Sequence, residues 1–225
     1  MALTQSDTKH WAPQPDVYAY LETKVIKPAD RVLEIGPGTA PFKRADVSVD
    51  FVDVEGVKKL VKCDLATDPL PFADKEFDFV VCRHMLEDMY NPFPLCAEMS
   101  RVAKAGYVET PSPIAELGRG VDGGSPPFRG YHHHRFVIWT AGDELRFVSK
   151  YAFVEYLRFD ERLIDQRLRA DPHCWNTYYM WNDRINVVHR QSPLHYNIPR
   201  DYAALLNEAM DVSKEATDKF VANMK

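Results

Sequence analysis

Short apolar runs recur through the first half of the chain, and most of them end at a glycine or an acidic residue. Runs of this length are typical of strands that are covered on both faces of a parallel sheet. We therefore predict five buried strands in this half of the chain. The runs are RVLEIG, ADVSVDF, LVKCDL, FDFVVC and YVET, at residues 31–36, 45–51, 60–65, 77–82 and 107–110.

Other stretches place apolar residues near helical spacing. We predict helices at residues 16–26, 92–103, 161–182 and 200–221, and a shorter helix at 55–59. Proline suits the first turn of the helix at 92–103 and also precedes the helix at 200–221. The stretch 161–182 is rich in aromatic residues. Those within 171–183 either pack in the core or form an aromatic wall over a bound acceptor or a cation–π site.

The region between these elements combines a loop with a hairpin. Residues 111–130 are rich in proline and glycine, which predicts a long loop that suits a lid. Residues 135–140 and 144–151 flank a short turn and predict a hairpin, and residues 184–189 predict a further strand. Because strands alternate with helices, we predict an α/β fold. Its expected form is a Rossmann-like, mainly parallel seven-stranded sheet with an antiparallel closing hairpin and a small helical C-terminal appendage.

The predicted elements divide the chain into three parts. Residues 1–29 form an N-terminal arm and helix, and residues 30–152 form the Rossmann-like core. Residues 153–225 form a helical and aromatic appendage packed on that core. A chain of 225 residues is long enough for one such core and an appendage.

Charge and composition narrow the classes of partner. The net charge is −5 and the charges are interspersed, so no basic stripe exists to neutralise a phosphate backbone. No apolar run approaches the roughly 18 to 20 residues that cross a bilayer, and the first residues lack the pattern of a secretory signal. The four cysteines lack CxxC spacing, as is typical of reduced core thiols. We expect a cytoplasmic monomer or homodimer that binds neither nucleic acid nor membrane.

The segment LEIGPGTA, at residues 33–40, follows the first predicted strand, where Rossmann-like folds place a nucleotide-binding turn. Gly36 and Gly38 permit a tight turn and a close approach of a ligand to the backbone. Glu34 is an acid inside an apolar strand, which costs free energy unless its carboxylate has partners. Because a glycine pair is common in such turns, the acids that follow decide the interpretation.

Further acids end the next two predicted strands. Asp50 ends the second strand, where a carboxylate can accept both hydroxyls of a ribose. Asp53 lies near the same strand end and is an alternative for that role. Asp64 ends the third strand, where its side chain can reach the amino group of an adenine. Because the carboxyl ends of neighbouring parallel strands meet at one edge, the acids predict a nucleoside-binding rim.

In combination these residues resemble class I S-adenosylmethionine-dependent methyltransferases. LEIGPGTA is similar to the cofactor loop of that family, and residues 63–89 are similar to the segment from the adenine-contacting acid through the fourth strand. The run SRVAKAGYVETPSP, at 100–113, resembles the helix and strand that follow. Bacterial methyltransferases of unassigned acceptor share the GYxETPSP run and a later His-Arg-aromatic sequence, matched here from His134 onward.

The resemblance implies S-adenosylmethionine as the cofactor and S-adenosylhomocysteine as its product. This chain departs from the family at Ala40, where a third glycine is usual, and at Asp88, where the family often has histidine. The implied cofactor-binding residues are Glu34, Gly36, Gly38 and Thr39 for the methionine part, Asp50 for the ribose, Asp64 and Leu65 for the adenine, and Cys82, Arg83 and His84 facing the sulfonium.

Methyl transfer to a hydroxyl or an amine requires the removal of a proton, and histidine is a common base for this step. His84 follows the fourth strand, where it either takes part in catalysis or packs against the next helix. Glu109 ends the fifth strand, where its carboxylate either faces the acceptor or hydrogen-bonds the backbone of the Pro-rich turn. His134 either acts as a base or acceptor-binding group or belongs to a surface run. These three residues are the candidates for catalysis.

His134 is the last of three consecutive histidines. If the segment is extended, His132 and His134 share a face and His133 points away. Two imidazoles invite a metal, but a catalytic zinc site normally needs three protein ligands, and His173 and Cys174 could join only if the chain folds back. We therefore expect no metal.

We predict an S-adenosylmethionine-dependent methyltransferase that transfers a methyl group to an O or N atom of a small-molecule or glycan-like metabolite. The short appendage and the lack of a nucleic-acid footprint favour this acceptor class. One alternative is methylation of a protein. Another is a catalytically silent subunit that binds the cofactor and serves a partner.

Overall fold

The computed structural model of the chain describes residues 14–122, 128–191 and 197–225. Contacts divide these residues into two compact units. The sheet unit contains residues 14–109 and 179–187, and the C-terminal unit contains the described residues of 110–178 and 188–225. The three-part division of the sequence stays a prediction, and the N-terminal arm at residues 1–13 lies outside the described residues.

Six strands form the main sheet: β1 Val32–Ile35, β2 Val47–Asp50, β3 Leu60–Lys62, β4 Phe77–Arg83, β5 Ala103–Pro111 and β8 Asn176–Asn182. Their order is β3-β2-β1-β4-β5-β8. The first five pair in parallel, which confirms the predicted strands and the mostly parallel α/β sheet. The strand order reverses between β1 and β4, and ligands of open α/β sheets bind beyond the carboxyl ends of the strands at such a point.

Helices in the sheet unit are few. Helix α1 (Pro15–Tyr20) continues into a π-helical turn (Leu21–Val25), and helix α2 (Phe93–Val102) joins β4 to β5. Both match the predicted helices. The short helix predicted at 55–59 is wrong, because the chain there forms bends around Gly56, whose φ is +78°. A few residues with a glycine in the left-handed region cannot offset the cost of starting a helix.

The predicted hairpin is present but does not close the main sheet. Strands β6 (Phe136–Ala141) and β7 (Glu144–Ser149) pair antiparallel around Gly142, whose φ is +65°. They form a separate three-stranded sheet with β9 (Asn186–His189), in the order β6-β7-β9. Within the described residues the main sheet therefore has six strands rather than the predicted seven, and the closing hairpin belongs to the second sheet.

The first half of the predicted Pro/Gly loop is a buried helix. Helix α3 (Pro113–Leu117) is capped by Ser112, whose hydroxyl accepts the N–H of Ala115 at 3.1 Å. Every residue of 111–118 is buried, so this half of the predicted lid is core structure. Residues 123–127 of the same segment lie outside the described residues.

The core of the C-terminal unit joins α3 to the hairpin and to later helices. These include 3₁₀ turns at Ala152–Tyr156 and Pro172–Trp175, α4 (Glu161–Ala170) and α5 (Ile198–Met224). Trp139 of β6 and Tyr202 of α5 are fully buried in this core. Helix α5 confirms the predicted terminal helix.

The helix predicted over 161–182 is wrong in its second half, where the chain forms strand β8. Aromatic and β-branched residues favour a strand, and burial of both faces hides the alternation that would have indicated one. Tyr178 stacks on Phe220 with ring centroids 4.8 Å apart. In the sheet unit, a Cβ added to Gly106 would lie 2.8 Å from the ring of Trp181. The aromatic residues therefore serve packing.

Among the described residues, none of the helices combines the length and the hydropathy needed to cross a membrane.

Candidate functional site

The glycine turn begins directly at the end of β1. Gly36 and Gly38 both adopt the left-handed region, with φ of +62° and +53°. A Cβ added to Gly36 would lie 3.2 Å from Sδ of Met85, whereas one added to Gly38 would meet no atom within 4 Å. The turn at Gly38 and the exposed Thr39 thus border open space at the carboxyl end of the strand.

Glu34 holds the shape of this turn. Its carboxylate is buried, and it accepts the N–H of Phe42 at 2.8 Å and the hydroxyl of Ser48 at 3.1 Å. Burial raises its pKa, while both hydrogen bonds oppose that effect. The two bonds tie the segment after β1 to β2, which explains how an acid is tolerated inside an apolar strand.

The two candidate acids near the end of β2 lie in different environments. Asp50 is the last residue of β2 and is half-buried, and its Oδ1 accepts the N–H of Val52 at 3.1 Å. The side chain of Asp53 is 97% exposed and pairs with Lys62 at 2.7 Å. Asp50 thus lies at the sheet edge beside the glycine turn, and Asp53 is committed to a surface ion pair.

The third acid lies one strand further along the same edge. Asp64 follows β3, and its Oδ1 accepts the N–H of Ala66 at 3.0 Å, while Leu65 is buried. Sequence reasoning missed the apolar residues beside Asp50: Phe51 is 70% exposed and Val52 is 56% exposed. The available signal was a pair of large apolar residues placed directly after a strand-terminal acid.

The residues at the end of β4 include a buried cysteine and one member of a buried ion pair. Cys82 is buried, and burial raises the pKa of its thiol well above the ordinary value. Arg83 lies opposite Glu109 in the β4–β5 register and donates to it from Nε at 3.1 Å and from Nη2 at 3.4 Å. The guanidinium also lies 5.3 Å from the ring centroid of Tyr18 in α1.

Glu109 is the acidic member of this ion pair. It is 1% exposed, and the hydroxyl of Tyr107 donates to its Oε2 at 2.5 Å. Burial alone would raise its pKa, but the charges of Arg83 and His84 lower it to about 2. The carboxylate is thus bound by Arg83 and Tyr107, and its two predicted roles stay predictions.

His84 follows β4 in a strained conformation, with a φ of +48°. Its backbone N–H donates to the carbonyl of Glu109 at 2.8 Å. Its ring nitrogens face two carboxylates: Nδ1 lies 3.4 Å from Oε1 of Glu87, and Nε2 lies 3.5 Å from Oε1 of Glu109. Burial lowers the pKa of His84, but the two carboxylates outweigh burial and raise it to about 9. Sequence reasoning gave Glu87 no role.

His134 belongs to the C-terminal unit, where it is buried against Glu116 of α3. Nδ1 of His134 and Nζ of Lys150 each lie 2.5 Å from one oxygen of the Glu116 carboxylate. Burial raises the pKa of Glu116, but Lys150 and His134 lower it to about 2. Sequence reasoning found His134 but missed its two partners, which are distant in sequence.

The shared face expected for His132 and His134 is wrong. His132 is exposed and lies 3.4 Å from Asp122, whereas His134 is buried. The chain bends at residues 132 and 133 instead of running extended, so alternate side chains do not line up. His133 is exposed, but its ring centroid lies 4.5 Å from that of His134, so the expectation that it points away is also wrong.

Comparison with known proteins bears on the sheet unit. Residues 33–108 match the family model described as a methyltransferase domain. These residues include the glycine turn, the acids at the ends of β2 and β3, and Arg83, while its partner Glu109 directly follows the matched range.

Relatives align over part of the chain. An uncharacterized protein of Methanocaldococcus jannaschii, MJ1123, is 32% identical over 107 residues, which cover 43% of this chain and 52% of that protein. The chain thus matches about half the length of this relative. Among solved structures, a SAM-dependent methyltransferase from Aquifex aeolicus aligns at 16% identity and a TM-score of 0.35, covering 49% of this chain and 74% of that one. One from Mesorhizobium loti aligns at 12% identity and a TM-score of 0.33, covering 54% and 57%.

The family match falls on the residues whose geometry fits a nucleoside cofactor: an open glycine turn and an acid at each of the next two strand ends. Residues 33–108 of this chain therefore match a methyltransferase domain over the part of the sheet unit that carries this geometry.

Proposed function

We propose that the protein transfers a methyl group from S-adenosylmethionine to an O or N atom of a small-molecule or glycan-like acceptor. The observation that carries this proposal is the open space at Gly38, with Asp50 and Asp64 at the adjacent strand ends. The chain has a net charge of −5, which favours such an acceptor over a polyanion.

The residues of the carboxyl edge fit the cofactor. Among the described residues, the side-chain carboxylate of each of Asp50 and Asp64 accepts only a backbone N–H from its own loop, so each carboxylate retains acceptor capacity for a ligand. Phe51 and Val52 offer an exposed apolar surface beside Asp50. When bound, the cofactor supplies an electrophilic methyl group on a sulfonium.

Different residues of this chain are proposed to bind different parts of the cofactor. We propose that Asp50 accepts hydrogen bonds from the ribose and that Asp64, with Leu65, holds the adenine. Glu34, Gly36, Gly38 and Thr39 shape or line the place of the methionine part, and Cys82, Arg83 and His84 form the edge that faces the sulfonium.

His84, Glu109 and His134 are our candidates for either orienting the acceptor or handling its proton. The first two belong to one ion cluster in the sheet unit, and the third is held by Glu116 in the C-terminal unit. An imidazole oriented by a carboxylate through Nδ1 is a common arrangement of catalytic histidines.

Binding is the first test of the proposal. We expect calorimetry to show binding of S-adenosylhomocysteine with a dissociation constant on the order of micromolar, typical of small-ligand sites, and no binding of NAD. Binding of NAD without binding of S-adenosylhomocysteine would refute the proposal.

Turnover is the second test. Purified protein is incubated with S-adenosylmethionine and pooled metabolites, and release of S-adenosylhomocysteine is measured. Release that depends on a hydroxyl- or amine-bearing pool supports the proposed acceptor class. Binding without release from any pool, including peptide pools, would favour the catalytically silent subunit.

A further inference from the structure

One imidazole in the sheet unit is enclosed by two buried carboxylates. Glu87 and Glu109 are each 1% exposed, and they face opposite nitrogens of the His84 ring at 3.4 and 3.5 Å. Within the described residues neither oxygen of Glu87 has a hydrogen bond, so His84 is the charged group that Glu87 contacts.

The geometry restricts the protonation state of the ring. A neutral imidazole carries an N–H on one nitrogen and a lone pair on the other. With a carboxylate facing each nitrogen, the neutral form would point a lone pair at a buried negative oxygen, whereas the imidazolium presents an N–H to both. A buried carboxylate without hydrogen bonds is also costly, and a neighbouring positive charge reduces that cost.

The surrounding charges fit the same arrangement. Arg83 and Tyr107 already bind Glu109 on its other side, so Glu109 remains paired whatever the state of His84. Glu87 lacks such a second donor among the described residues and depends on His84. The left-handed backbone of His84 is a strained conformation, and a ring clamped by two carboxylates offsets part of its cost.

We propose that Glu87 is a positioning residue of the methyltransferase site, which together with Glu109 clamps His84 between them as an imidazolium. In this state His84 enters the reaction as a hydrogen-bond donor and does not accept the proton of the acceptor. The consequence for catalysis rests on the proposed function, but the clamp itself does not.

The test is an NMR titration of the histidine side chains in the protein without cofactor. The His84 signal is assigned by its loss in His84→Gln. In the wild-type protein we expect His84 to stay protonated through neutral pH and to titrate near pH 9. In Glu87→Gln, which keeps the size of the side chain but removes its charge, the midpoint of His84 should fall by about one pH unit or more.

Asp88→Asn is the matched control, because it removes the same charge from the neighbouring, exposed residue. It should leave the titration of His84 unchanged. A ¹H–¹⁵N spectrum reports whether each variant is folded, and Glu87→Asp, which restores the charge, should bring the midpoint back toward the wild-type value.

A wild-type His84 that titrates near its ordinary value of 6.5 would overturn the proposal, and this measurement stands even if Glu87→Gln does not fold. A folded Glu87→Gln with an unchanged midpoint would overturn it as well. Failure of S-adenosylhomocysteine to bind would instead refute the proposed function and leave the titration as it is.

Discussion

Two buried carboxylates, one in each compact unit, use the same chemical device. Glu109 and Glu116 are both 1% exposed, and the pKa of each is lowered to about 2 by a cation and a histidine. In the sheet unit the cation is Arg83, and in the C-terminal unit it is Lys150. The two groups differ in how completely their members are paired.

The Glu116 group is closed. One oxygen of Glu116 meets His134 and the other meets Lys150, and Lys150 also donates to the carbonyls of Arg129 and Tyr131 at 3.1 and 2.8 Å. The Gly130 backbone packs so tightly on Glu116 that an added Cβ would lie 2.6 Å from it. A saturated, close-packed group of this kind is expected to stabilise the fold.

The Glu109 group is open. It extends through His84 to Glu87, a buried carboxylate without hydrogen bonds among the described residues, and His84 itself has a strained backbone. Strain and unmet hydrogen-bonding capacity persist mainly at functional sites. The two groups therefore differ in completeness of pairing and not in burial or in the pKa of their central acid.

The largest effect should come from breaking the closed group. Glu116→Ala leaves the buried Lys150 and His134 without their counter-charge, so we expect the free energy of unfolding to fall by about 3–5 kcal/mol. Denaturant unfolding measures this loss. Glu208→Ala is the control, because Glu208 is half-exposed and its ion pair with Arg146 spans 3.9 Å.

We expect the control to change the free energy of unfolding by no more than about 0.5 kcal/mol. An equally small loss in Glu116→Ala would show that the group contributes little and would remove the contrast between the two units.

The second effect is the loss of stability in acid. Because the folded pKa of Glu109 and Glu116 is about 2, below the ordinary 4.5, their stabilisation is complete above pH 5 and is lost as the pH falls toward 2. Linkage puts this loss at about 3 kcal/mol for each carboxylate. Unfolding free energies measured between pH 7 and pH 2.5 should therefore decrease steadily on the acid side.

In Glu116→Gln, the decrease of the unfolding free energy below pH 5 should be smaller by the contribution of Glu116. The decrease that remains comes from Glu109 and from other acids. A variant with the same acid slope as the wild-type protein would show that the folded pKa of Glu116 is near its ordinary value.

Sequence patterns predicted the parts of the molecule that depend on local order. The parallel strands and the acids at their ends follow from short apolar runs, so the positions of Asp50 and Asp64 at the strand ends are predictable from the sequence. The partners of His134 and His84 were not, since Glu116, Lys150 and Glu87 acquire their roles only through tertiary contacts. Polar residues of this kind carry no periodic signal.

The errors have a common physical cause. Strand β8 is buried on both faces and α3 is buried within a Pro-rich segment, so neither shows the alternation or amphipathicity on which sequence patterns rely. The hairpin was found locally, but the sheet that it joins depends on a later strand, β9.

The smallest expected effect is on binding alone and sharpens the contrast at the open edge of the sheet unit. Among the described residues the carboxylate of Asp50 accepts only a loop N–H, so Asp50→Ala should change the free energy of unfolding little. If its carboxylate accepts the ribose hydroxyls, the variant should weaken S-adenosylhomocysteine by about 2–3 kcal/mol, since hydrogen bonds to charged groups are the strong ones. Calorimetry with the wild-type protein and the variant measures this difference. Asp53→Ala is the matched control, because Asp53 is exposed and paired with Lys62, and its affinity should stay within about twofold of wild type. If Asp53→Ala weakened binding more than Asp50→Ala, the ribose would be assigned to Asp53. Equal affinity of the two variants would show that Asp50 does not bind the ribose.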